Sequence, residues 1–360
     1  MKRFVIYTGF NNPRTYKRGV ENVIEIQARS LGPGPRKIYL FFDTETSVFR
    51  WNDILCIGMR KGPLRFFRLN AIAMRLIRRA KARNYKVIVH SHNPLMSLFL
   101  FYRTDIFTVL DGLWYQKKTM NSRFPQLFWA IERIVYRRSD RVHCISNFTY
   151  SASQLPDVKK EARVIHISTP VENYAPSGLV CPQSTPYRAT IFCVRSIEPR
   201  ARIDLVVEIA ALAQERSLDM DFIVAGKGPL LTHYRKVIED RGLRNMQLLG
   251  FITDGDLVVR YKACDCVLVP CENGEGFGLP IIEGYLFGKP VVASGRCAIP
   301  EVISDPKYLS RNDAEEMLGI LQTTLAERTD GFRFREHYDQ HFSNAVVLKR
   351  FAKLYDEIFG

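Results

Sequence analysis

The chain has 360 residues, which is too long for one ordinary hydrophobic core and suits two domains. Hydrophobic residues make up 46% and charged residues 25%, the balance of a soluble globular protein, and no apolar run is long enough for a membrane-spanning helix. The net charge of +15 indicates partners that carry phosphate or other negative groups.

The N-terminal "MKRFVIYTGFNNPRT" contains one short apolar run, which predicts a first strand rather than a signal peptide. The cysteines have no spacing typical of disulfides or metal sites, so we expect reduced thiols, no bound metal and a cytoplasmic location. These residues are Cys56, Cys144, Cys181, Cys193, Cys264, Cys266, Cys271 and Cys297.

Strand-like and helical patterns alternate through the first half of the chain. "RFVIYTG" is followed by the helical "RGVENVIEIQARSL", then by "KIYLFFD" and a basic helix over residues 64–83. After it come "KVIVHSH", "DIFTVLDG", a helix over 126–138 and "RVHCISN". This βαβ rhythm predicts a parallel sheet covered by helices on both faces.

The basic helix belongs to a stretch without acidic residues between Asp53 and Asp105. Its arginines recur at spacings of seven, four and four, so they share one face, and apolar residues fill much of the rest. These arginines are Arg68, Arg75, Arg79 and Arg83. The pattern indicates a helix that presents cations to an anionic membrane surface, and "RFPQLFWAIERIVYRR" extends the patch. A solvated face on an ordinary sheet-covering helix is the alternative.

Residues 174–188, "YAPSGLVCPQSTPYR", contain three prolines and predict a linker. The rhythm then restarts with "ATIFCVRS", "DFIVAGKG", "MQLLGF", "DCVLVP" and "PVVAS", separated by helical patterns. The final "FSNAVVLKRFAKLYDEIF" has apolar residues at helical spacing. We therefore predict two doubly wound domains whose strands end at a shared ligand cleft.

The segment "ENGEGFGLPIIEGYLFGKPVV" places Glu275 and Glu283 around a glycine-rich turn and a helix that begins near Pro280. Backbone amides at a helix start attract an anion, and a carboxylate one turn further in accepts hydrogen bonds from two hydroxyls. An ordinary glycine loop is the alternative. The combination of both glutamates, the proline and the following "GKPVV" favours a ligand site.

"EGFGLPIIE", followed by "GKPVVAS" and "PEV", resembles the E-x7-E signature of retaining glycosyltransferase family 4, glycosyl transferases group 1. "VHCISNFTYS", "FIVAGKGPL" and "LLGFI" also fall in the family's order and spacing. The resemblance implies an α/β protein of the GT-B fold, with two Rossmann-like domains facing a cleft. Residues 1–173 would form the acceptor domain, with 341–360 crossing back to it as a helix, and 189–340 would bind the nucleotide sugar.

The resemblance also implies roles for residues of the second domain. Glu283 would bind the donor ribose, Glu275 would face the donor sugar, and Arg195 would neutralise the diphosphate of the leaving group. No cofactor and no metal are implied beyond the GDP- or UDP-linked donor. Further donor contacts would be the amides of Phe277, Gly278 and Leu279, near the sugar and diphosphate, and the stretch Gly250, Phe251 and Ile252, against the base.

This chain departs from the family pattern at two positions. A lysine usual in the family falls on Ala201, and Arg200 or Arg202 beside it could supply the charge. A histidine that contacts the donor sugar in many relatives is Asp111, which either bonds a sugar hydroxyl or forms the turn before Gly112.

The first domain offers weaker candidates. "YKRGVENV" keeps only Gly19 of a usual glycine pair, which with Arg18 either cradles an anion or simply begins a helix. "HSHNP" follows a strand, and its His92 either contacts the acceptor or packs within the domain.

The resemblance implies a metal-independent, retaining hexosyltransferase, and the basic helix favours a place on the cytoplasmic face of a membrane. Its partners would be a nucleotide sugar, a lipid-linked or saccharide acceptor and an anionic membrane surface, in polysaccharide or glycolipid biosynthesis. A relative that binds sugar nucleotide or saccharide without turnover is the alternative, because of Ala201 and the thinned glycine loop. A nucleic-acid partner is not predicted, since no nucleic-acid motif accompanies the charge.

Overall fold

The structure is a computed structural model that describes residues 2–15, 19–110, 125–174, 188–327 and 330–360. The chain divides into two compact units. Unit 1 comprises Met1–Ile167 with Ala345–Gly360, and unit 2 comprises Ser168–Asn344. Among the described residues, no helix is long and apolar enough to cross a lipid bilayer.

Unit 1 is built on one sheet, to which its described residues contribute eight strands. They are β1 Lys2–Thr8, β2 Arg36–Asp43, β3 Ser47–Trp51, β4 Ile54–Arg60, β5 Tyr85–Ser91, β6 Ile106–Val109, β7 Arg141–Cys144 and β8 Arg163–Val164. The strand order is β3-β4-β2-β1-β5-β6-β7-β8, parallel except for the β3–β4 pair. The order reverses between β1 and β5, as in doubly wound folds.

The β3–β4 hairpin was not predicted from the sequence. Asn52 and Asp53 form its two-residue turn, and Asn52 has a φ of 52°, the left-handed conformation such turns use. Asp53 pairs with the buried ammonium of Lys37 on β2, which ties the hairpin to the sheet. The sequence signal is weak because an Asn-Asp turn is less distinctive than an Asn-Gly turn.

Helices cover the sheet of unit 1. They are α1 Gly19–Ser30, α2 Arg65–Lys81, α3 Pro94–Phe99, α4 Pro125–Arg138 and α5 Asn147–Ser151, joined by the C-terminal helix Asn344–Phe359. In the latter, the Tyr355 hydroxyl lies 2.7 Å from His90 Nδ1 and 3.1 Å from the Tyr7 hydroxyl. The predicted return of this helix to the first domain is confirmed.

Helix α2 is the predicted basic helix. Its buried face consists of Leu69, Asn70, Ala73, Ile77 and Ala80, while its exposed arginines are Arg68, Arg75, Arg78 and Arg79. The spacing of three and four residues between the buried positions is that of an amphipathic helix. The helix ends at Lys81, so Arg83, the last arginine of the predicted stripe, lies beyond it.

Unit 2 contains a second sheet, with six strands among the described residues. They are β9 Ala189–Val194, β10 Met220–Ala225, β11 Met246–Gly250, β12 Cys266–Val269, β13 Val291–Ser294 and β14 Leu309–Ser310. The order is β11-β10-β9-β12-β13-β14, and all pairs are parallel. The order therefore reverses between β9 and β12, where α/β sheets bind ligands.

The helices of unit 2 are α6 Ile203–Glu215, α7 Leu231–Asp240, α8 Asp254–Ala263, α9 Leu279–Leu286, α10 Ile299–Val302, α11 Ala314–Ala326 and α12 Gly331–His341. Short 3-10 turns occur at Pro170–Tyr174, Pro199–Ala201 and Pro306–Tyr308. Helices α11 and α12 were not predicted. Met317 and Leu321 of α11 belong to the same buried core as α6, so this helix completes one face of the sheet.

The boundaries between the units differ from those predicted. Residues 168–173 were assigned to the first domain, yet they lie in unit 2. Thr169 donates to Glu283 at 2.8 Å, and Glu172 accepts from the Tyr338 hydroxyl at 2.6 Å. Residues 341–344 likewise lie in unit 2, since the Asn344 amide donates to Glu172 at 2.7 Å. These hydrogen bonds join segments far apart in the chain and leave no trace in local sequence patterns.

Candidate functional site

The carboxyl ends of β9 and β12 carry the charged residues of the candidate site. Arg195 directly follows β9, and Glu275 lies in the loop between β12 and α9. These strands are neighbours at the point where the strand order of unit 2 reverses. The topology therefore brings together two residues that are 80 positions apart in the chain.

Arg195 and Glu275 form a buried ion pair. The guanidinium Nη1 lies 2.6 Å from the carboxylate Oε2, and the two side chains are only 7% and 18% exposed. Burial acts to raise the pKa of Glu275, but the charges of Arg195 and Arg200 and the Gly278 amide outweigh it and hold the pKa below its usual range. Glu275 is therefore an anion fixed in place.

Glu275 also determines how α9 begins. Its Oε1 accepts a 3.0 Å hydrogen bond from the Gly278 amide. Gly278 has a φ of 98°, a left-handed conformation that favours glycine, and it directly precedes the first turn of α9. The Gly278 amide, which was predicted to contact the donor, is thus already hydrogen-bonded to Glu275.

The two arginines beside Ala201 differ in their surroundings. Ala201 is 2% exposed and packs in the core of unit 2. Arg202 is held by Asp204 at 2.9 Å and by Glu272 at 2.9 Å. Among the described residues, Arg200 lies 3.5 Å from a single carboxylate, that of Glu198; it also donates to the Gly274 carbonyl at 3.0 Å and contributes to lowering the Glu275 pKa. Of the two alternative cations, Arg200 is therefore the one whose charge acts on Glu275, although both arginines contact the loop between β12 and α9.

The loop after β10 supports Arg195 and adds a further cation. Gly226 has a φ of 142°, and a Cβ there would lie 1.8 Å from the Arg195 carbonyl oxygen, so only glycine fits. The next residue, Lys227, places its ammonium 4.7 Å from the centroid of the Phe251 ring. That ring is 69% exposed, and it belongs to the stretch predicted to lie against a nucleotide base.

Glu283 lies inside unit 2, on α9. Its Oε1 accepts from the Thr169 hydroxyl at 2.8 Å and its Oε2 from the Tyr261 hydroxyl at 2.7 Å. Burial raises the pKa of Glu283 to about 7, although both hydrogen bonds favour the ionised form. Each oxygen keeps a second lone pair, so the carboxylate can accept two more hydrogen bonds.

The candidates of unit 1 lie at the end of its own sheet. Gly19 begins α1, and a Cβ there would meet no atom within 4 Å, so packing does not demand glycine. His92 follows β5 and is buried, with Nε2 2.7 Å from Gln27 Oε1 and its ring stacked on His90. Burial lowers the pKa of His92 to about 3, so this imidazole is neutral. Arg18 and Asp111 lie outside the described residues.

Sequence reasoning missed three residues of the site in unit 2. Tyr261 and Thr169 hold Glu283, and Lys227 lies beside Phe251. The tyrosine and threonine are distant in sequence and carry no motif. For Lys227 a signal existed, since it lies between two glycines directly after a strand. Within the described ranges, no group of three or more His, Cys, Asp or Glu side chains is arranged to hold a metal ion.

Two family models match the chain. "Glycosyl transferases group 1" matches residues 183–336, and "Glycosyltransferase Family 4" matches residues 22–172. A curated relative, the poly(ribitol-phosphate) alpha-N-acetylglucosaminyltransferase of Staphylococcus aureus, is 28% identical over 168 residues, which are 44% of this chain and 33% of the relative. The chain spans less than two thirds of the length of the curated relatives it matches first.

Solved structures of similar fold extend over nearly the whole chain. Sucrose-phosphate synthase from Thermosynechococcus elongatus superposes with a TM-score of 0.81 at 17% identity and covers 99% of both chains. The Anabaena protein HepE in complex with UDP superposes with a TM-score of 0.74 at 16% identity, covering 99% of this chain and 100% of its own. At these identities the likeness establishes the fold, and it confirms the predicted GT-B fold with its two Rossmann-like units.

Proposed function

Since the chain belongs to the group 1, family 4 glycosyltransferases, which match it in both units, we propose that it transfers a hexose from a nucleotide sugar to a saccharide or lipid-linked acceptor. The reaction would belong to polysaccharide or glycolipid biosynthesis. The observation that carries the proposal is the buried Arg195–Glu275 pair where the strand order of unit 2 reverses. The Staphylococcus aureus relative, named as a transferase that acts on poly(ribitol-phosphate), supports a polymeric acceptor.

The charges around the pair suit a nucleoside diphosphate. Arg195, Arg200 and Lys227 carry three positive charges, and Glu275 and Glu198, whose carboxylate lies 3.5 Å from Arg200, carry two negative charges, which leaves a net charge of +1. Preorganised cations stabilise the negative charge that develops on the leaving diphosphate. These side chains would do so without a metal ion. UDP, which is bound by the HepE structure, is the first nucleotide to test, and GDP is the second.

The proposed stereochemistry is retention without an enzyme nucleophile. Glu275 has one oxygen bound by Arg195 and the other by the Gly278 amide, which suits a positioning role toward the donor sugar. The acceptor would attack on the face that the diphosphate leaves, and a diphosphate oxygen would take the acceptor proton. Glu283 would bind the two ribose hydroxyls through its remaining lone pairs.

The surface of α2 supports an acceptor at a membrane. Arg68, Arg75 and Arg79 are exposed, and so are the apolar Leu64 and Phe67 at the start of the helix. Cations attract anionic headgroups, and exposed apolar side chains enter the interface. We therefore propose that the enzyme works at the inner face of a membrane, as a peripheral protein.

A sedimentation assay with vesicles tests this placement. The Phe67→Ser variant is expected to bind vesicles of anionic phospholipid several-fold more weakly than the wild type. The matched control is Phe332→Ser, which removes an equally exposed phenylalanine from unit 2 and should bind like the wild type. Equal binding by all three proteins would contradict a role for α2.

The donor reaction is tested by thermal shift and hydrolysis with UDP-, GDP-, ADP- and dTDP-sugars. A ligand that binds only the folded protein raises the melting temperature. One nucleotide series is expected to stabilise the wild type and to release sugar slowly. Arg195→Met should lose the stabilisation, while the exposed Arg244→Met should keep it. No stabilisation of the wild type by any series would refute the donor site.

A binding protein without turnover is the second candidate. It is favoured by the burial of Ala201, which leaves the family's lysine position without a cation and makes the site depend on Arg200. Stabilisation by one nucleotide sugar without hydrolysis or transfer, even with lipid extract as acceptor, would select this candidate.

A further inference from the structure

Two cysteines that the proposed reaction does not use meet beside the Glu275 loop. Cys271 lies two residues after β12, and Cys297 lies three residues after β13. These strands are parallel neighbours, so the chain segments that follow them leave the sheet side by side. The Cys271 amide donates to Ser294 Oγ, three residues before Cys297, at 2.8 Å, and the two thiols are close enough for each to shift the pKa of the other.

The two thiols have different surroundings. Cys271 is fully buried, and its Sγ also lies 3.6 Å from the Asn273 carbonyl oxygen. Cys297 is half-buried, and its sulfur accepts hydrogen bonds from the backbone amides of Gly274 and Glu275. The backbone of Cys297 has a φ of 55°, a left-handed conformation that residues other than glycine keep mainly where surrounding contacts hold them.

Hydrogen bonds to a sulfur favour its thiolate. The Cys271 thiol and the two amides together lower the pKa of Cys297 to about 6, while the same contact raises the pKa of Cys271. The remaining cysteines of the described residues are buried, and burial raises their pKa values. They are Cys56, Cys144, Cys193, Cys264 and Cys266. Cys297 therefore combines thiolate character with access to solvent.

We propose that Cys297 and Cys271 form a reversible modification site for low-molecular-weight disulfides, with Cys297 attacking and Cys271 resolving. The Cys297 thiolate attacks one sulfur of the small disulfide, a mixed disulfide forms, and the first small thiolate leaves. Cys271 then gives its proton to that thiolate and attacks the Cys297 sulfur, which expels the second thiolate. Overall the protein loses two hydrogens to form Cys271–Cys297, and the small disulfide is reduced to two thiols.

Oxidation changes the loop that holds Glu275. A disulfide sulfur carries no negative charge, so the Gly274 and Glu275 amides lose the acceptor they have in the reduced protein. The loop is also anchored by the Ala298 amide, which donates to the Glu275 carbonyl at 3.2 Å directly after Cys297. Oxidation is expected to weaken binding of UDP, and this consequence rests on the proposed function.

The experiment treats the full chain with oxidised glutathione, blocks the remaining thiols by alkylation and maps the peptides by mass spectrometry. The wild type should give a Cys271–Cys297 linked peptide that dithiothreitol removes. Cys271→Ser should stop with one glutathione on Cys297, and Cys297→Ser should leave Cys271 unmodified. Cys56→Ser, in unit 1, is the matched control and should form the link like the wild type.

The pH dependence of the first step provides a second test. A Cys271–Cys297 disulfide that forms without a reactive Cys297 thiolate would not show this dependence. In the wild type, the rate at which the free Cys297 thiol disappears in oxidised glutathione should reach half its plateau well below the ordinary thiol pKa of about 8.5. A midpoint at the ordinary value, a wild type that forms no Cys271–Cys297 link, or equal reactivity of the two serine variants would overturn the proposal.

The consequence for the donor site is measured separately, as the melting-temperature increase caused by UDP in the reduced and oxidised protein. A smaller increase after oxidation supports the inferred effect, and an unchanged increase refutes it. If UDP does not stabilise the reduced protein, the proposed function fails, whereas the peptide map still decides whether the modification site exists.

Discussion

Replacement of Glu283 by glutamine should change how the stability of the protein depends on pH. Glu283 is 7% exposed, and burial raises its pKa from 4.5 to about 7. A carboxyl whose pKa is raised in the folded state stabilises the fold below its unfolded pKa, and that contribution is lost as pH rises through the folded pKa. The window for Glu283 therefore runs from pH 4.5 to about pH 7.

The magnitude follows from the size of this pKa change. Between pH 8 and pH 5 the folded wild type takes up a proton at Glu283 that the unfolded chain largely does not hold. The gain is about 2 to 3 kcal/mol, since one pKa unit corresponds to about 1.4 kcal/mol. For a unit of this size, each kcal/mol changes the melting temperature by about 2–4 °C. The expected effect is thus about 4–12 °C.

The assay compares the melting temperatures of the wild type and Glu283→Gln at pH 5 and pH 8. The difference between the two proteins isolates this one group, because the other titrating groups are common to both. The melting temperature of Glu283→Gln, relative to that of the wild type, should be higher at pH 8 than at pH 5 by about 4–12 °C. Glu239→Gln, which removes an exposed carboxylate from α7, should parallel the wild type. A pH-independent difference for Glu283→Gln would refute the reasoning.

Three further changes test the site. Arg195→Met leaves a buried carboxylate unpaired and should cost about 3–5 kcal/mol of unfolding free energy in urea denaturation; a loss below about 1 kcal/mol would contradict the buried pair. Gly226→Ala forces a Cβ against backbone and should abolish stabilisation by UDP, whereas Gly319→Ala, in an open helical position, should retain it. Tyr261→Phe removes a bond that favours ionised Glu283, so the midpoint of UDP binding against pH should rise, and an unchanged midpoint would contradict this.

Much of the fold was predictable because it is recorded in local periodicity. Strands such as β1 and β9 are continuous apolar runs bounded by turn residues, and α2 has buried positions at helical spacing. The hairpin β3–β4 escaped prediction because its pairing depends on Lys37 and on the edge of β2. Helices α11 and α12 escaped because the prediction followed the alternating rhythm of strands and helices.

The candidate site was predictable only in part. Glu275 and Glu283 lie in one contiguous motif, and Arg195 was assigned from the family resemblance of the segment "FCVRS". The sequence left Arg200 and Arg202 as equal alternatives for a missing cation. The structure separates them, since Arg202 is held by two carboxylates at 2.9 Å, while Arg200 has one carboxylate at 3.5 Å and donates to the Gly274 carbonyl. For His92 it adds burial and a neutral ring, while any contact with an acceptor stays a prediction.

By itself the sequence determined the two doubly wound units, the basic helix and the motif around Glu275, since each depends on residues close together in the chain. Tertiary structure alone decided that Arg195 meets Glu275, that Thr169 and Tyr261 hold Glu283, and that residues 168–173 belong to unit 2. The physical reason is the order of the strands. Parallel neighbours bring together the chain segments at their carboxyl ends, however far apart these lie in sequence, and no local pattern records which strands are neighbours.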